Sequence, residues 1–240
     1  MQKLSDVRAG RCGILELVIA YNLTDDKATS LQEVTGMTQF NKTQKKYRWP
    51  DIESTMKKRI GEEKTAGLFK EALALSEQYS ERYKDLKGFE KTHAEAAHNI
   101  AAIYIPMRKE VGSKEAIAIL DEAWKPGALQ KKEKLDKIPP KLFIPICRII
   151  AGTAFGNKAG FERKDISRDK LEVRFDVYSC PYVKIMKELD CSEACPIVCR
   201  QDEYSYGGMR GIAFERTKTI GRGDEKCDFC YRLKRKNERR

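Results

Sequence analysis

The sequence changes its periodicity at the stretch Leu171-Glu-Val-Arg-Phe-Asp-Val177, where apolar and charged residues alternate one by one. Successive side chains of a β-strand point to opposite faces, so this pattern predicts a strand with one face on a core and one in water. It is the clearest strand pattern in the chain. It also marks the point where a helical first part gives way to a sheet.

The sequence after this strand predicts a hairpin. A second strand is expected over Ile212–Ile220, a glycine-bearing turn over Gly221–Asp224, and a third strand over Lys226–Leu233. Two short helices, at about Tyr182–Leu189 and Pro196–Tyr204, are expected between the first and second strands.

The sequence before the strand has helical spacing. Ile14, Leu17, Val18 and Tyr21 follow the pattern of an amphipathic helix, and a polar linker is expected from there through Pro50. Further helices are predicted over Asp51–Leu86 (one or two), over Phe89–Val111, from an N-cap at Ser113 to Lys125–Gly127, and over Leu142–Phe155. Lys131–Lys137 and Pro139–Pro140 are interpreted as a second linker.

The fold class expected from these patterns is α+β, with an N-terminal helical layer followed by a small antiparallel sheet that ends in a C-terminal hairpin. Residues 1–138 are predicted to be a helical region and residues 139–240 a cysteine-rich α+β region. One continuous domain is the alternative.

The charge and hydropathy of the sequence indicate which partners and which cellular location to expect. The 240 residues carry a formal charge of +11, of which residues 232–240 contribute six basic residues and one acid. Such a basic end is usually solvated, and no recognition motif accompanies it, so no specific nucleic-acid partner is expected. No apolar run approaches the ~20 residues of a membrane span, and no signal-peptide pattern precedes Ile14. We therefore expect a cytoplasmic protein with reduced thiols.

The eight cysteines offer two kinds of chemistry. Cys191, Cys195, Cys199 and Cys230 are the alternative ligand set for zinc or an iron–sulfur cluster, although no cofactor is favoured. Strand parity argues against a simple site at the CxxC of residues 227–230, because its two cysteines would point to opposite faces. Simple packing of Cys191, Cys195 and Cys230 as small hydrophobic side chains is favoured over a metal site. A catalytic thiol needs a cation, a helix start or a base nearby, and Cys195, Cys199 and Cys227 all meet that condition.

Other polar candidates are few. His93 and His98 are five residues apart on a predicted helix, which does not form a metalloprotease pair; each is expected to be exposed or hydrogen-bonded in place, with a Cys–His pair as the alternative. Arg216 falls on the inner face of the second strand, where it needs a carboxylate partner that an acidic substrate would supply; a twisted strand that exposes it together with Lys218 is the equal alternative. Asp202, Asp224 and Asp228 are candidate acid–base or orienting carboxylates.

Three consecutive pieces carry a resemblance: Cys199-Arg-Gln-Asp202-Glu-Tyr204, Ile212-Ala-Phe-Glu-Arg216-Thr217-Lys-Thr219-Ile220, and Gly221-Arg-Gly223-Asp224-Glu-Lys-Cys227-Asp228-Phe229. Together with Cys180-Pro-Tyr182, they resemble the C-terminal signature of the L-2-amino-thiazoline-4-carboxylic acid hydrolases. The resemblance covers about the last 100 residues. The same ending is loosely similar to vinyl-reductase-type small-molecule-binding domains. Cys191, Cys195 and Cys230 are additional to the signature.

The resemblance implies hydrolysis of a cyclic amidine, 2-amino-thiazoline-4-carboxylate, to N-carbamoyl-cysteine, with cleavage of a C–N bond. Roles are assigned on that basis. Cys227 or Cys199 is the nucleophile and Asp202 or Asp228 its acid–base partner; Arg216 with Thr217 binds the substrate carboxylate, and Cys180 and Tyr204 complete the substrate site. The alternative function is a metal-binding or small-molecule-sensing module without catalysis.

Overall fold

The computed structural model describes residues 40–167 and 169–238. The helix predicted around Ile14–Tyr21 lies outside them. Seven longer helices and one short one are found in the described residues, and their bounds are α1 Lys42–Lys46, α2 Trp49–Ile60, α3 Glu62–Arg82, α4 Gly88–Val111, α5 Ser113–Leu135, α6 Pro140–Ala154, α7 Pro181–Glu188 and α8 Cys195–Tyr206. The α+β class is confirmed.

Two glycines divide the helical part of the chain. Gly61 (φ 87°) separates α2 from α3, and Gly112 (φ 80°) separates α4 from α5. Both adopt a backbone conformation that residues with a Cβ rarely reach, so each helix ends there. The segment 51–86 therefore forms two helices. The prediction of one or two helices there is confirmed in its second form. Ser113 is the first residue of α5, and Gly112, not Ser113, is its N-cap.

Two predicted linkers are wrong in the residues that the structure describes. From residue 40 onwards the first contains α1 and the start of α2, and the ring of Trp49 makes T-shaped contacts with Phe40 and Phe69. The second is helical through Leu135, because α5 continues past Pro126 and does not stop at residues 125–127. Trp124 and Ala128 are both buried beside that proline. The free energy gained by burying this apolar face outweighs the cost of the hydrogen bond that a proline removes from a helix.

The sheet has four strands, β1 Glu162–Ser167, β2 Glu172–Ser179, β3 Ile212–Glu215 and β4 Cys227–Leu233. Their order is β1-β2-β4-β3, and all neighbours are antiparallel. Sequence reasoning missed β1, because its residues are mostly exposed and show no apolar alternation. The strand at Leu171–Val177 is confirmed as β2.

The predicted second strand is wrong beyond Glu215. The carboxylate of Asp228 accepts hydrogen bonds from the backbone amides of Thr217 (2.8 Å) and Lys218 (2.6 Å), which a continued strand would direct to the sheet. The chain then makes a 3₁₀ turn over Ile220–Arg222. The connection between β3 and β4 is therefore a folded loop, and this loop reaches the first turn of α8.

Two apolar cores support this arrangement. One lies among the helices α2 to α5, α7 and the start of α8, and the other lies between α6 and the inner face of the sheet. Tyr182 packs against both cores. In the described part of the chain, no helix combines the length and the apolar character that crossing a bilayer requires. The proposed boundary at residue 138 stays a prediction.

Candidate functional site

Four cysteines from three elements converge at the junction of the two cores. Cys180 is the N-cap of α7, Cys195 is the first residue of α8, Cys199 lies one turn further along α8, and Cys227 begins β4. We call these four residues the thiol cluster. The early start of α8 corrects the prediction that Cys195 belongs to the preceding loop.

Gly221 holds the cluster together from the β3–β4 loop. A Cβ on Gly221 would lie 3.0 Å from the Sγ atom of Cys199 and 3.1 Å from the Sγ atom of Cys195, so the two sulfurs border the same small space. On the other side of the glycine, the backbone amide of Ile220 donates to the Sγ atom of Cys227 at 3.2 Å. The folded loop thus contacts three of the four thiols.

Arg216 supplies the positive charge of the site. Its side chain is 2% exposed, and its guanidinium donates to Asp202 (2.9 Å), to Glu203 (3.1 Å) and to the backbone carbonyl of Cys199 (2.7 Å). The guanidinium also lies over the ring of Phe229, 5.1 Å from its centre. Its Nε atom is buried and has no hydrogen-bond partner in the described structure. The inner-face arginine predicted from strand parity therefore has protein carboxylates as partners.

The thiols of the cluster differ in acidity. A hydrogen bond with Cys195 lowers the pKa of Cys199 against the effect of burial, and the charges of Arg216 and Arg222 lower it further. The same contact and burial raise the pKa of Cys195. Burial raises the pKa of Cys227 to about 11 and that of Cys180 to about 12. Cys199 is therefore the thiol that the surroundings favour as a thiolate.

Asp202 connects this thiol to a further cation. Burial raises the pKa of Asp202 against the opposing charges of Arg216 and Lys131. The ammonium of Lys131, which α5 provides, lies 5.1 Å from the ring centre of Tyr206. Burial would lower the pKa of Lys131, but Tyr206 and Asp202 raise it. Sequence reasoning missed Lys131 because it assigned this part of α5 to a linker.

Three predicted site residues lie away from the thiols. Asp228 and Thr217 bind each other, with the Thr217 hydroxyl donating to the carboxylate at 2.5 Å, and both serve to shape the loop. Tyr204 points towards α5, where its hydroxyl donates to Asp121 at 2.9 Å. The structure thus brings together Cys180, Cys199, Cys227, Asp202 and Arg216 and leaves Asp228, Thr217 and Tyr204 elsewhere.

The alternative metal ligands are dispersed. Cys191 is buried in the helical core, and Cys230 lies on the face of β4 opposite Cys227, as strand parity predicted. Within residues 40–167 and 169–238, no group of three or more histidine, cysteine, aspartate or glutamate side chains is arranged to hold a metal ion. The spacing of the cysteines along the chain therefore does not translate into a ligand set among those residues.

The two histidines are buried and have local partners. Burial lowers the pKa of His93, so the ring is neutral, and its Nε2 atom donates to the carbonyl of Ala154 at 2.8 Å. Its Nδ1 atom therefore accepts from the Tyr182 hydroxyl at 3.1 Å. His98 stacks on Tyr83, and burial lowers its pKa to about 4. Neither ring forms a pair with a cysteine thiol in the described structure. The structure therefore agrees with the prediction that the histidines are hydrogen-bonded or packed in place.

The fold and the site define an α+β protein in which a cluster of thiols, one of them acidified, lies beside a buried arginine. The model of one protein family, described as L-2-amino-thiazoline-4-carboxylic acid hydrolase, matches residues 90–231, more than half of the chain. The chain belongs to this family. The match begins in α4, so it covers helices over which the resemblance in sequence is vague, as well as the sheet and the thiol cluster. Searches of curated proteins and of solved structures found no match.

Proposed function

We propose that this protein hydrolyses a small cyclic amidine that bears a carboxylate, such as 2-amino-thiazoline-4-carboxylate, with Cys199 as the nucleophile. The observation that carries the proposal is the surroundings of Cys199: its sulfur shares a small space with that of Cys195, and the guanidinium of Arg216 binds its backbone carbonyl at 2.7 Å. Both favour the thiolate, which is the nucleophilic form of cysteine. The family membership supplies the class of substrate.

The reaction begins when the Cys199 thiolate adds to the ring carbon between the sulfur and the two nitrogens. N-carbamoyl-cysteine keeps both nitrogens on this carbon, so its formation breaks the C–S bond and releases the ring sulfur as a thiol. The C–N cleavage expected from the sequence would instead give S-carbamoyl-cysteine. The ring sulfur can leave directly as a thiolate (thiol pKa ~8.5), whereas the ring nitrogen must first be protonated in order to leave as an amine, so we propose C–S cleavage. Water then adds to the same carbon, and Cys199 leaves as the second thiolate.

Asp202 is the acid–base group in this proposal. Its side chain is 28% exposed and binds Arg216, which also holds the backbone carbonyl of Cys199. Its partial burial raises its pKa, which favours the protonated form that a general acid needs. Asp228 is better explained as a loop-forming residue, because both of its carboxylate oxygens already accept hydrogen bonds from residues 217 and 218.

Lys131 and Arg216 together supply the charge that attracts a carboxylated substrate. Arg216 alone is neutralised by Asp202 and Glu203, and Arg222 also binds Glu203 at 2.6 Å. Lys131 adds a positive charge beside Asp202, and no carboxylate of the described residues forms an ion pair with it within 4.0 Å. While Cys199 is protonated, these five side chains carry three positive and two negative charges, which favours the binding of a monoanion.

The test is to incubate the purified protein with 2-amino-thiazoline-4-carboxylate and to identify the product by mass spectrometry alongside a count of new free thiols. We expect N-carbamoyl-cysteine and one new thiol for each substrate consumed. Cys199→Ser should reduce turnover by at least about 1000-fold, while Cys191→Ser, a buried cysteine of the helical core, should retain it.

Full turnover by Cys199→Ser would remove this residue as the nucleophile. Detection of S-carbamoyl-cysteine without a new free thiol would show that the enzyme cleaves the C–N bond and not the C–S bond. No turnover by the unmodified protein, with the substrate recovered intact, would overturn the proposed activity on this substrate.

A further inference from the structure

The second thiol of α8 has no part in the hydrolysis proposed above, although it is the direct neighbour of Cys199. We propose that Cys195 and Cys199 form a reversible disulfide bond when a peroxide oxidises Cys199. This covalent state would be an oxidative modification of the protein. It does not depend on which substrate the protein hydrolyses.

The first observation is that the two sulfurs border one small space. The Sγ atoms of Cys199 and Cys195 lie 3.0 Å and 3.1 Å from the position that a Cβ of Gly221 would take. No side chain from residue 221 separates them, because that residue is a glycine. The space between α8 and the β3–β4 loop is thus shared by these two sulfurs.

The second observation is the division of roles between the thiols. Cys199 is partly exposed and lies beside the charge of Arg216, so a small oxidant can reach a thiolate there. Cys195 is buried against the helical core and has no basic partner. The pair therefore consists of one sulfur that reacts with oxidant and one that is placed to resolve the product.

The chemistry balances with a hydroperoxide as the oxidant. The Cys199 thiolate attacks one oxygen of hydrogen peroxide, the O–O bond breaks, and the departing hydroxide takes a proton to become water. The resulting sulfenic acid is attacked by the sulfur of Cys195, the S–S bond forms, and the S–OH oxygen leaves with the Cys195 proton as a second water. Two electrons pass from the two thiols to the peroxide.

The helix makes this disulfide strained and hence easy to reduce. Residues four apart on a helix have Cβ atoms ~5–6 Å apart, whereas a disulfide needs ~3.5–4.5 Å. Cys195 is the first residue of α8 and follows the 3₁₀ turn Ser192–Ala194, so the backbone that has to adjust belongs to the end of the helix. Strained disulfides have higher reduction potentials, which suits a reversible modification.

Cys227 is the competing partner for Cys199. Its sulfur accepts a hydrogen bond from the Ile220 amide, and β4 fixes its backbone, with Cys227 paired to Val177 of β2. A bond from Cys199 to Cys227 would therefore have to move a strand of the sheet, whereas a bond to Cys195 moves only the first turn of a helix. The structure thus favours Cys195.

The experiment treats the fully reduced protein with hydrogen peroxide, unfolds it in denaturant so that buried thiols become accessible, blocks the remaining thiols with iodoacetamide and maps the label on proteolytic peptides. Trypsin releases residues 188–200, which contain Cys191, Cys195 and Cys199, and cleavage after Glu193 then separates Cys191 from the pair. We expect the peptide that contains Cys195 and Cys199 to carry neither label and to be lighter by two hydrogens than the reduced, unlabelled peptide. Cys191 should keep its label. Treatment with a dithiol reductant before labelling should restore both labels. Turnover should fall in proportion to the lost label.

Two variants make the result decisive. In Cys195→Ser, Cys199 should accumulate as a sulfenic acid that dimedone traps, whereas Cys227→Ser should form the disulfide at the rate of the unmodified protein. A cross-link between Cys199 and Cys227, or full labelling of Cys195 and Cys199 after peroxide treatment, would overturn the proposal. A protein that forms the disulfide but never hydrolyses the substrate would overturn the proposed function alone.

Discussion

The helical core and the thiol cluster both bury cysteine, and they give it different properties. In the helical core, Cys191 packs among apolar residues, and burial raises its pKa to about 12. In the cluster, Cys199 is half-buried, and a thiol neighbour and the Arg216 charge lower its pKa. The two environments differ in the nearest charge and hydrogen-bond donor, and we expect these, more than burial or spacing along the chain, to decide which cysteine reacts.

The largest effect expected from this comparison comes from removing the charge. Arg216→Gln leaves Asp202 and Glu203 without their cation, and the break of such a largely buried network costs about 3 kcal/mol of the free energy of unfolding. The pKa of Cys199 should rise at the same time, and turnover should fall. Denaturant unfolding and the pH dependence of Cys199 alkylation measure the two effects.

Arg232→Gln is the matched control for the loss of charge. Arg232 also binds two carboxylates, Glu215 (2.7 Å) and Glu238 (2.8 Å), but its side chain is 23% exposed and lies away from the thiols. We expect this variant to lose less than about 1 kcal/mol and to keep the reactivity of Cys199. Equal losses from both variants would mean that the position of Arg216 has no special role.

The second prediction compares the two cysteines directly. A thiol of pKa about 12 holds roughly 1000-fold less thiolate than an ordinary thiol at neutral pH, and the greater intrinsic reactivity of its thiolate offsets only part of this difference. Iodoacetamide at neutral pH should therefore label Cys199 at least about 30-fold faster than Cys191. The labelling rate of Cys199 should also begin to rise at a lower pH. Time-resolved peptide mapping measures both rates, and equal rates would contradict the environment assigned to Cys199.

The sequence predicts the local part of this picture well. The alternation at residues 171–177 gives β2, and the parity of β4 separates Cys227 from Cys230 correctly. The predictions fail where a tertiary contact overrides a local signal, as at Pro126, where the buried residues on either side keep α5 helical. The Asp228 carboxylate likewise takes the loop amides away from the predicted strand.

The site shows the same limit. Cys180, Cys199, Cys227, Asp202 and Arg216 could be proposed from residue type and from the family resemblance, and the fold brings them together. Lys131 and Gly221 could not, because each contributes through an approach of segments far apart in the chain. A lysine in a basic stretch and a glycine in a turn have no local pattern that distinguishes them from solvated or turn-forming residues.

The third prediction concerns the loop that closes the cluster. Burial opposes ionisation of Asp228, but hydrogen bonds from Thr217 and Lys218 lower its pKa overall. Asp228→Asn should therefore destabilise the protein by about 1 to 2 kcal/mol at neutral pH. A lowered pKa stabilises the folded state above the pKa of the unfolded chain, and this contribution is lost as the pH falls through the folded value. The difference between variant and parent should accordingly shrink at acidic pH.

Asp85→Asn is the control for this carboxylate, because Asp85 is exposed between α3 and α4 in the helical region. It should change the free energy of unfolding by less than about 0.5 kcal/mol at any pH. If Asp228→Asn is as stable as the parent but inactive, Asp228 belongs to the acid–base chemistry and not to the loop.

The smallest effect compares two glycines, one in the α-helix α3 and one in the β3–β4 loop, that differ in what surrounds the position of the missing Cβ. Gly67 lies inside α3 with open space around its missing Cβ, so Gly67→Ala should stabilise the protein by about 0.5–1 kcal/mol. Gly221→Ala restricts the unfolded chain in the same way, which is stabilising. Its Cβ, however, would press against the sulfurs of Cys195 and Cys199, so we expect the free energy of unfolding to fall by about 1 kcal/mol overall. Denaturant unfolding measures both signs. A stabilised Gly221→Ala variant with unchanged Cys199 labelling would show that the loop does not hold the two sulfurs. If instead Gly67→Ala stabilises the protein, Gly221→Ala destabilises it, and only the labelling of Cys199 becomes slower, then the contact with the loop sets the environment of the reactive thiol.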